Sequence, residues 1–118
     1  MLEVKNLSKS FGDYKALDDL TFSINEGQIM GLIGQNGAGK TTTFRLILDF
    51  LQADQGEILW KGHSLSAKEY NIIGYLPEER GLYPRITVQD QLIYFARLRG
   101  RSKKEIVPKI DEWMDKFQ

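Results

Sequence analysis

The stretch GQNGAGKTT, residues 34 to 42, carries the clearest chemistry in this chain, because Gly34, Gly39, Lys40 and Thr41 satisfy the spacing G-x-x-x-x-G-K-[ST]. Glycines let a backbone curl until successive N–H groups point at one place, and the start of a helix adds the positive end of its dipole. In that arrangement the amides from Gly37 to Thr42 converge on phosphate oxygens. Lys40 is expected to reach β- and γ-phosphates, Thr41 to place its hydroxyl on Mg²⁺, and Thr42 to meet the α-phosphate. Gln35, Asn36 and Ala38 complete the loop, so every position from 34 to 42 is a candidate for holding a nucleotide. The plainer reading is a glycine turn with an incidental lysine. The motif's place, after an apolar run and before a helical pattern, favours phosphate.

A second stretch, YLPEERGLYP at 75 to 84, sets Glu78, Glu79 and Arg80 between two prolines. The plain reading of Glu79 and Arg80 is a solvated ion pair, since exposed pairs are common and contribute little. His63, the one histidine, has no second histidine or cysteine nearby and reads as a surface-loop residue rather than a metal ligand. The basic run RLRGRSKK at 97 to 104 has no interleaved aromatics and reads as a solvated helix junction.

These residues need elements to position them. LTFSI at 20 to 24 alternates, with Leu20, Phe22 and Ile24 on one face, as a half-buried strand does. LEVKNL at 2 to 7 reads as a weaker strand, and FGDYK at 11 to 15 supplies a glycine turn between the two. QIMGLIG at 28 to 34 lacks alternation, which suits a strand buried on both faces of a central sheet. TTFRLILDF at 42 to 50 follows with helical spacing, its apolar face set by Phe44, Ile47, Leu48 and Leu51. EILWKG at 57 to 62 and NIIGYL at 71 to 76 read as further strands. Thr87 with Asp90 marks a helix start, lined by Val88, Leu92, Phe95 and Ala96 and ending near Gly100. Ser102 with Glu105 opens another, striped by Ile106, Ile110, Trp113, Met114 and Phe117 as the core of a helical subdomain. Pro108 predicts a kink there or a start later than Ser102. The order strand, glycine loop, helix makes the chain α/β.

Composition sets the bounds. The chain has 118 residues, 42% of them hydrophobic, which is material for one modest core or part of a larger one. Sixteen basic and sixteen acidic side chains cancel, so the overall field gives no reason to expect nucleic acid or anionic lipid. There is no cysteine, which excludes disulfides and thiolate metal sites. The N-terminus is not a signal peptide, and no apolar run nears the roughly 20 residues that span a bilayer. A membrane role must then come through a partner.

Taken together, LSKSFGDYKALDDLTFSINEGQIMGLIGQNGAGKTT and GYLPEERGLYPRITV resemble the N-terminal half of an ATP-binding-cassette (ABC) ATPase, the nucleotide-binding subunit of ABC transporters. LPEERGLY is similar to an export-type bacterial branch. The resemblance implies a P-loop NTPase fold of ABC type: an N-terminal antiparallel β-region, a partial RecA-like core and the start of the helical subdomain. It implies that Phe11 stacks on adenine with Ala16 packed nearby; Tyr14 is the competing stacker, and ordinary core packing the alternative for Phe11. It also puts Glu78 where the family carries the Q-loop glutamine, which reaches Mg²⁺ and the attacking water. A carboxylate supplies oxygen to Mg²⁺ as a glutamine does, yet it adds negative charge and cannot donate an N–H.

On this resemblance residues 1–86 form the β-region and Walker A core through the Q-loop, and 87–118 the start of the helical subdomain. YLPEERGLYP is then the hinge between them. The expected function is an ATP-binding subunit of a bacterial ABC transporter, with ATP and Mg²⁺ as cofactors. Its expected partners are transmembrane permease subunits, faced by residues 78–97, and a second ATP-binding subunit in a head-to-tail dimer. Nucleic acid is not expected. The expected location is the cytoplasmic face of the cell membrane, through the permease. No LSGGQ-like signature, Asp-Glu motif or switch histidine follows, so the chain is expected to be a truncated piece that binds nucleotide weakly and does not hydrolyse it. The alternatives are a soluble ABC-type ATPase acting on ribosomes or nucleic acid, and a non-enzymatic nucleotide-binding fragment.

Overall fold

Alternating apolar side chains and a two-residue turn at Gly12-Asp13 produce a long antiparallel hairpin, β1 (Leu2–Phe11) and β2 (Tyr14–Ile24), closed by the pair Phe11 and Tyr14. The computed structural model describes residues 1–78 and 81–117. Two further strands, β3 (Gln55–Trp60) and β4 (His63–Ser64), extend the sheet in the order β2-β1-β3-β4, with every pairing antiparallel. The 2–7 segment is thus no minor strand. It begins a ten-residue strand paired on both sides, with Val4 opposite Phe22 on one neighbour and Ile58 on the other.

The chain forms two compact units, Met1–Ile72 and Ile73–Gln118. In the first, helix α1 (Lys40–Ile47) lies on the sheet, and Val4, Leu7, Leu17 and Leu46 make the buried core. Complete burial of Val4 and Leu7 contributes about 1.5–3 kcal/mol each relative to exposure. The expected apolar stripe of α1 is offset. Thr43 and Leu46 are buried, Ile47 and Leu51 pack at the margin, and Phe44 faces out. The short helix α2 (Ala67–Tyr70) is opened by a capping box in which the Glu69 carboxylate accepts from the Ser66 N–H at 2.8 Å and from its hydroxyl.

Two expected strands do not form. Residues 28–34 and 73–76 have no strand pairing, and Ile29, Ile33 and Leu76 are almost fully exposed. An inner strand is made by its neighbours' hydrogen bonds, and among the described residues no segment supplies them.

In the second unit, α3 (Val88–Leu98) starts where Thr87 Oγ1 accepts from the Asp90 N–H at 3.1 Å. It ends in a Schellman motif, the Arg101 N–H donating to Ala96 O at 3.0 Å and the Gly100 N–H to Arg97 O at 3.0 Å. Helix α4 (Lys103–Phe117) begins directly after Ser102 and continues through Pro108, whose missing N–H removes the bond to the Lys104 carbonyl. Only Ile110 of its apolar stripe is buried, while Trp113 and Phe117 stack on one another in the open.

Candidate functional site

The loop 34–39 runs into α1, whose cap residue is Gly39 at φ +94° with no side-chain cap. The first amides of a helix have no intrahelical acceptor, so the N–H groups of Lys40, Thr41 and Thr42 open outward as a set of donors at the positive end of the dipole. The first helical bond is the Thr43 N–H to Gly39 O at 2.9 Å, doubled by the Thr43 hydroxyl to the same oxygen at 2.8 Å. That double use of Gly39 O explains why Thr43 is buried. It also anchors the loop's last peptide to the helix.

β2 holds the other side of the loop. Gly39 lies against Ala16, where a Cβ would stand 2.6 Å from the Ala16 carbonyl oxygen. Two residues earlier on the strand, the Tyr14 hydroxyl donates to Gly37 O at 2.6 Å. Within the loop the Ala38 N–H donates to Gln35 O at 3.0 Å, so that amide is engaged locally. The Lys40 ammonium folds back onto the Gly34 and Gln35 carbonyls, the latter at 3.1 Å. A phosphate exchanges these neutral acceptors for charged oxygens, which make stronger bonds to an ammonium. Thr41 is exposed in the first turn of α1, and Asn36 is exposed in the loop.

The structure therefore gathers Gly34, Gln35, Asn36, Gly37, Ala38, Gly39, Lys40, Thr41 and Thr42 with Ala16 and the end of the hairpin. Phe11 stands at that end, 45% exposed, with the Lys9 ammonium 5.5 Å from its ring centre. It is not a core residue, and its ring is partly open to solvent. Glu78 belongs to the second unit and is exposed at a bend. Glu79 and Arg80, read as a solvated pair, lie outside the described residues.

His63 is exposed on β4, its Nε2 3.9 Å from Glu69, and among the described residues no cluster of His, Cys, Asp or Glu is placed to hold a metal ion. No helix there is long and apolar enough to cross a membrane. From the basic run, Arg99 donates to Ile73 O at 2.9 Å.

Three roles escaped the sequence. Thr43 lies one step past the motif, and a third threonine after KTT was the available signal. Ser66 with Glu69 fits the S-x-x-E pattern that marks a helix start. Gln91, 3% exposed, accepts from the Tyr83 N–H at 2.7 Å and donates to Tyr83 O at 3.1 Å and Ile86 O at 2.9 Å. A polar residue on a helical pattern gives no sign of that.

The family model described as ABC transporter matches residues 17–118. The chain is 53% identical over 117 residues to the ABC transporter ATP-binding protein YhaQ of Bacillus subtilis, covering 99% of this chain and 39% of that protein. It is 44% identical over 117 residues to the ABC transporter ATP-binding protein MJ1023 of Methanocaldococcus jannaschii, covering 99% and 41%. With the lipopolysaccharide export system ATP-binding protein LptB of Haemophilus influenzae it shares 35% over 127 residues, covering 99% and 51%. Among solved structures, an ATP binding subunit of an ABC transporter matches with a TM-score of 0.73 at 35% identity, covering 89% of this chain and 45% of that one. The chain spans between 39% and 51% of the length of these relatives.

Proposed function

The chain belongs to the ABC transporter family, and on that premise we propose that it is the nucleotide-binding part of an ATPase subunit that acts on membrane partners. The observation that carries this is the loop 34–39 set on an uncapped helix start and pressed against β2 at Gly39. Its donors fit an anion: open amides at Lys40, Thr41 and Thr42, and a lysine that the described residues hold by neutral carbonyls. When bound, Mg²⁺ neutralises phosphate charge during transfer to water. The hydroxyl of Thr41 would hold that ion.

Lys40 would contact the outer phosphates and Thr42 the α-phosphate, while the backbone from Gly34 to Gly39 cradles the chain of oxygens. We take Phe11 as the base platform, because the Tyr14 hydroxyl is committed to Gly37 O and ties that ring to the loop. In the whole protein we place two such subunits head to tail beneath transmembrane permease subunits, on the cytoplasmic face, with ATP hydrolysis driving transport. For residues 1–118 by themselves we infer weak binding and no turnover, since among the described residues no strand pairs with segment 28–34, which leads into the loop.

Titration with a fluorescent MgATP analogue tests the reading. Lys40→Ala should weaken binding about tenfold or more, the range of a hydrogen bond to a charged group. Equal affinity in the two proteins would sink the assignment.

A further inference from the structure

We propose that Tyr14 is the positioning residue of the phosphate loop, its hydroxyl holding the Gly37 carbonyl so that the Gly37–Ala38 peptide keeps one orientation toward the nucleotide. The proposal rests on the nucleotide-binding reading above. Gly37 has φ +84° and no atom within 4 Å of a would-be Cβ, so nothing steric restrains its peptide. Glycine at such a position turns over readily, and a flipped Gly37–Ala38 peptide would break the Ala38 N–H bond to Gln35 O and set two carbonyl oxygens against each other, opening the loop that is to receive phosphate.

The restraint comes from the hairpin. Tyr14 is the first residue of β2, paired with Phe11 across the turn, so its ring is carried by sheet rather than by loop. Its hydroxyl lies 2.6 Å from Gly37 O, a short O–H···O bond. Two residues on, β2 meets the loop again where Ala16 abuts Gly39. Residues 14 and 16 of the strand thus meet residues 37 and 39 of the loop. The Ala16 contact fixes the helix end sterically, while at the tip the Tyr14 bond holds the carbonyl of the Gly37–Ala38 peptide to the sheet and Gln35 O holds its N–H within the loop.

Tyr14→Phe keeps the ring and removes only the donor, so two measurements on the full chain separate the roles. Without ligand, amide exchange at Ala38, whose N–H donates to Gln35 O, should quicken about fivefold, the effect of one net hydrogen bond, while exchange at Val4 and Leu7 stays as it was. With ligand, affinity for MgATP should fall about fivefold and affinity for adenosine, which has no phosphate, should not change. A general loss of structure would move both ligands together. Unchanged loop exchange overturns the proposal. So does a Tyr14→Phe protein that binds both ligands normally while Tyr14→Ala weakens both, the pattern of a base platform. If loop exchange responds but the parent chain binds no MgATP, the tether is supported and the nucleotide reading fails.

Discussion

A side chain on Gly39 would meet Ala16 at its carbonyl oxygen, 2.6 Å from a Cβ, and Leu17 at Cδ2, 2.7 Å away, so the loop and β2 join at a point that admits only hydrogen. The backbone there is left-handed, at φ +94°. Gly39→Ala combines that strain with overlap against main chain that cannot move aside. We expect a loss of about 2–4 kcal/mol in urea unfolding of the first unit. Gly37→Ala is the control, with positive φ but open space, and should cost about 1–2 kcal/mol. Equal losses would show that the contact with β2 adds nothing.

Asp54 joins the sheet to the connection after α1. Its carboxylate accepts from the Ser10 N–H at 2.8 Å and from the Lys9 ammonium at 3.4 Å. The Ser10 bond, foremost, and the lysine hold its pKa below the ordinary 3.8. A lowered folded pKa means that the unfolded chain takes up the proton first on acidification. The stabilisation is full above 3.8 and disappears as pH falls through the lower folded value. Asp54→Asn should therefore lower the unfolding midpoint at neutral pH, and the gap to the parent protein should close in acid. A gap independent of pH would remove the carboxylate from the account.

What could be read from sequence followed the range of the interactions involved. Thr87 with Asp90, Gly100 and the turn at Gly12 are local devices, completed within a few residues, and each stands where its pattern puts it. The loop 34–42 was legible for the same reason, since helix start and glycines are contiguous. QIMGLIG was not. Its apolar character is that of a strand, but a strand exists only with neighbours, and those are nonlocal. Thr43 displaced Phe44 from the core because a hydroxyl had a carbonyl to bind at Gly39, a gain that hydrophobic periodicity does not count. Tyr14 and Gly37 are 23 residues apart, and no spacing rule connects them.

Glu78 tests the second half of the functional reading. A carboxylate binds Mg²⁺ more strongly than an amide oxygen does and repels the outer phosphate. In the full-length protein, Glu78→Gln should raise the Mg²⁺ concentration for half-maximal hydrolysis a few-fold and, at saturating Mg²⁺, lower the half-saturating ATP concentration by a similar factor. Steady-state hydrolysis across a Mg²⁺ series reads both. Identical curves would return Glu78 to a solvated acid.

Gln91 offers a sharper test of packing, because its amide is the buried polar group that binds residues 83–86 to α3. It accepts from the Tyr83 N–H and donates to the Tyr83 and Ile86 carbonyls. Gln91→Leu removes these bonds together with the longer one to Thr87 O at 3.5 Å. The orphaned groups belong to exposed residues and can turn to water, so the loop should loosen while the helix stays. We expect amide exchange at Tyr83 to quicken about tenfold with interior α3 amides unchanged. Gln91→Glu separates the bonds by sign. It keeps the acceptor for Tyr83 but sets a carboxylate against two carbonyl oxygens, which raises its folded pKa above the unfolded value of about 4.3. Here the folded state takes up the proton first, so the destabilisation is full at neutral pH and shrinks as pH falls through the raised pKa and the protonated acid donates to one carbonyl. Thermal unfolding of Gln91→Glu should approach that of the parent protein near pH ~4 and fall behind it at pH ~7. A constant difference across that range would mean that the Gln91 amide does not bond those carbonyls.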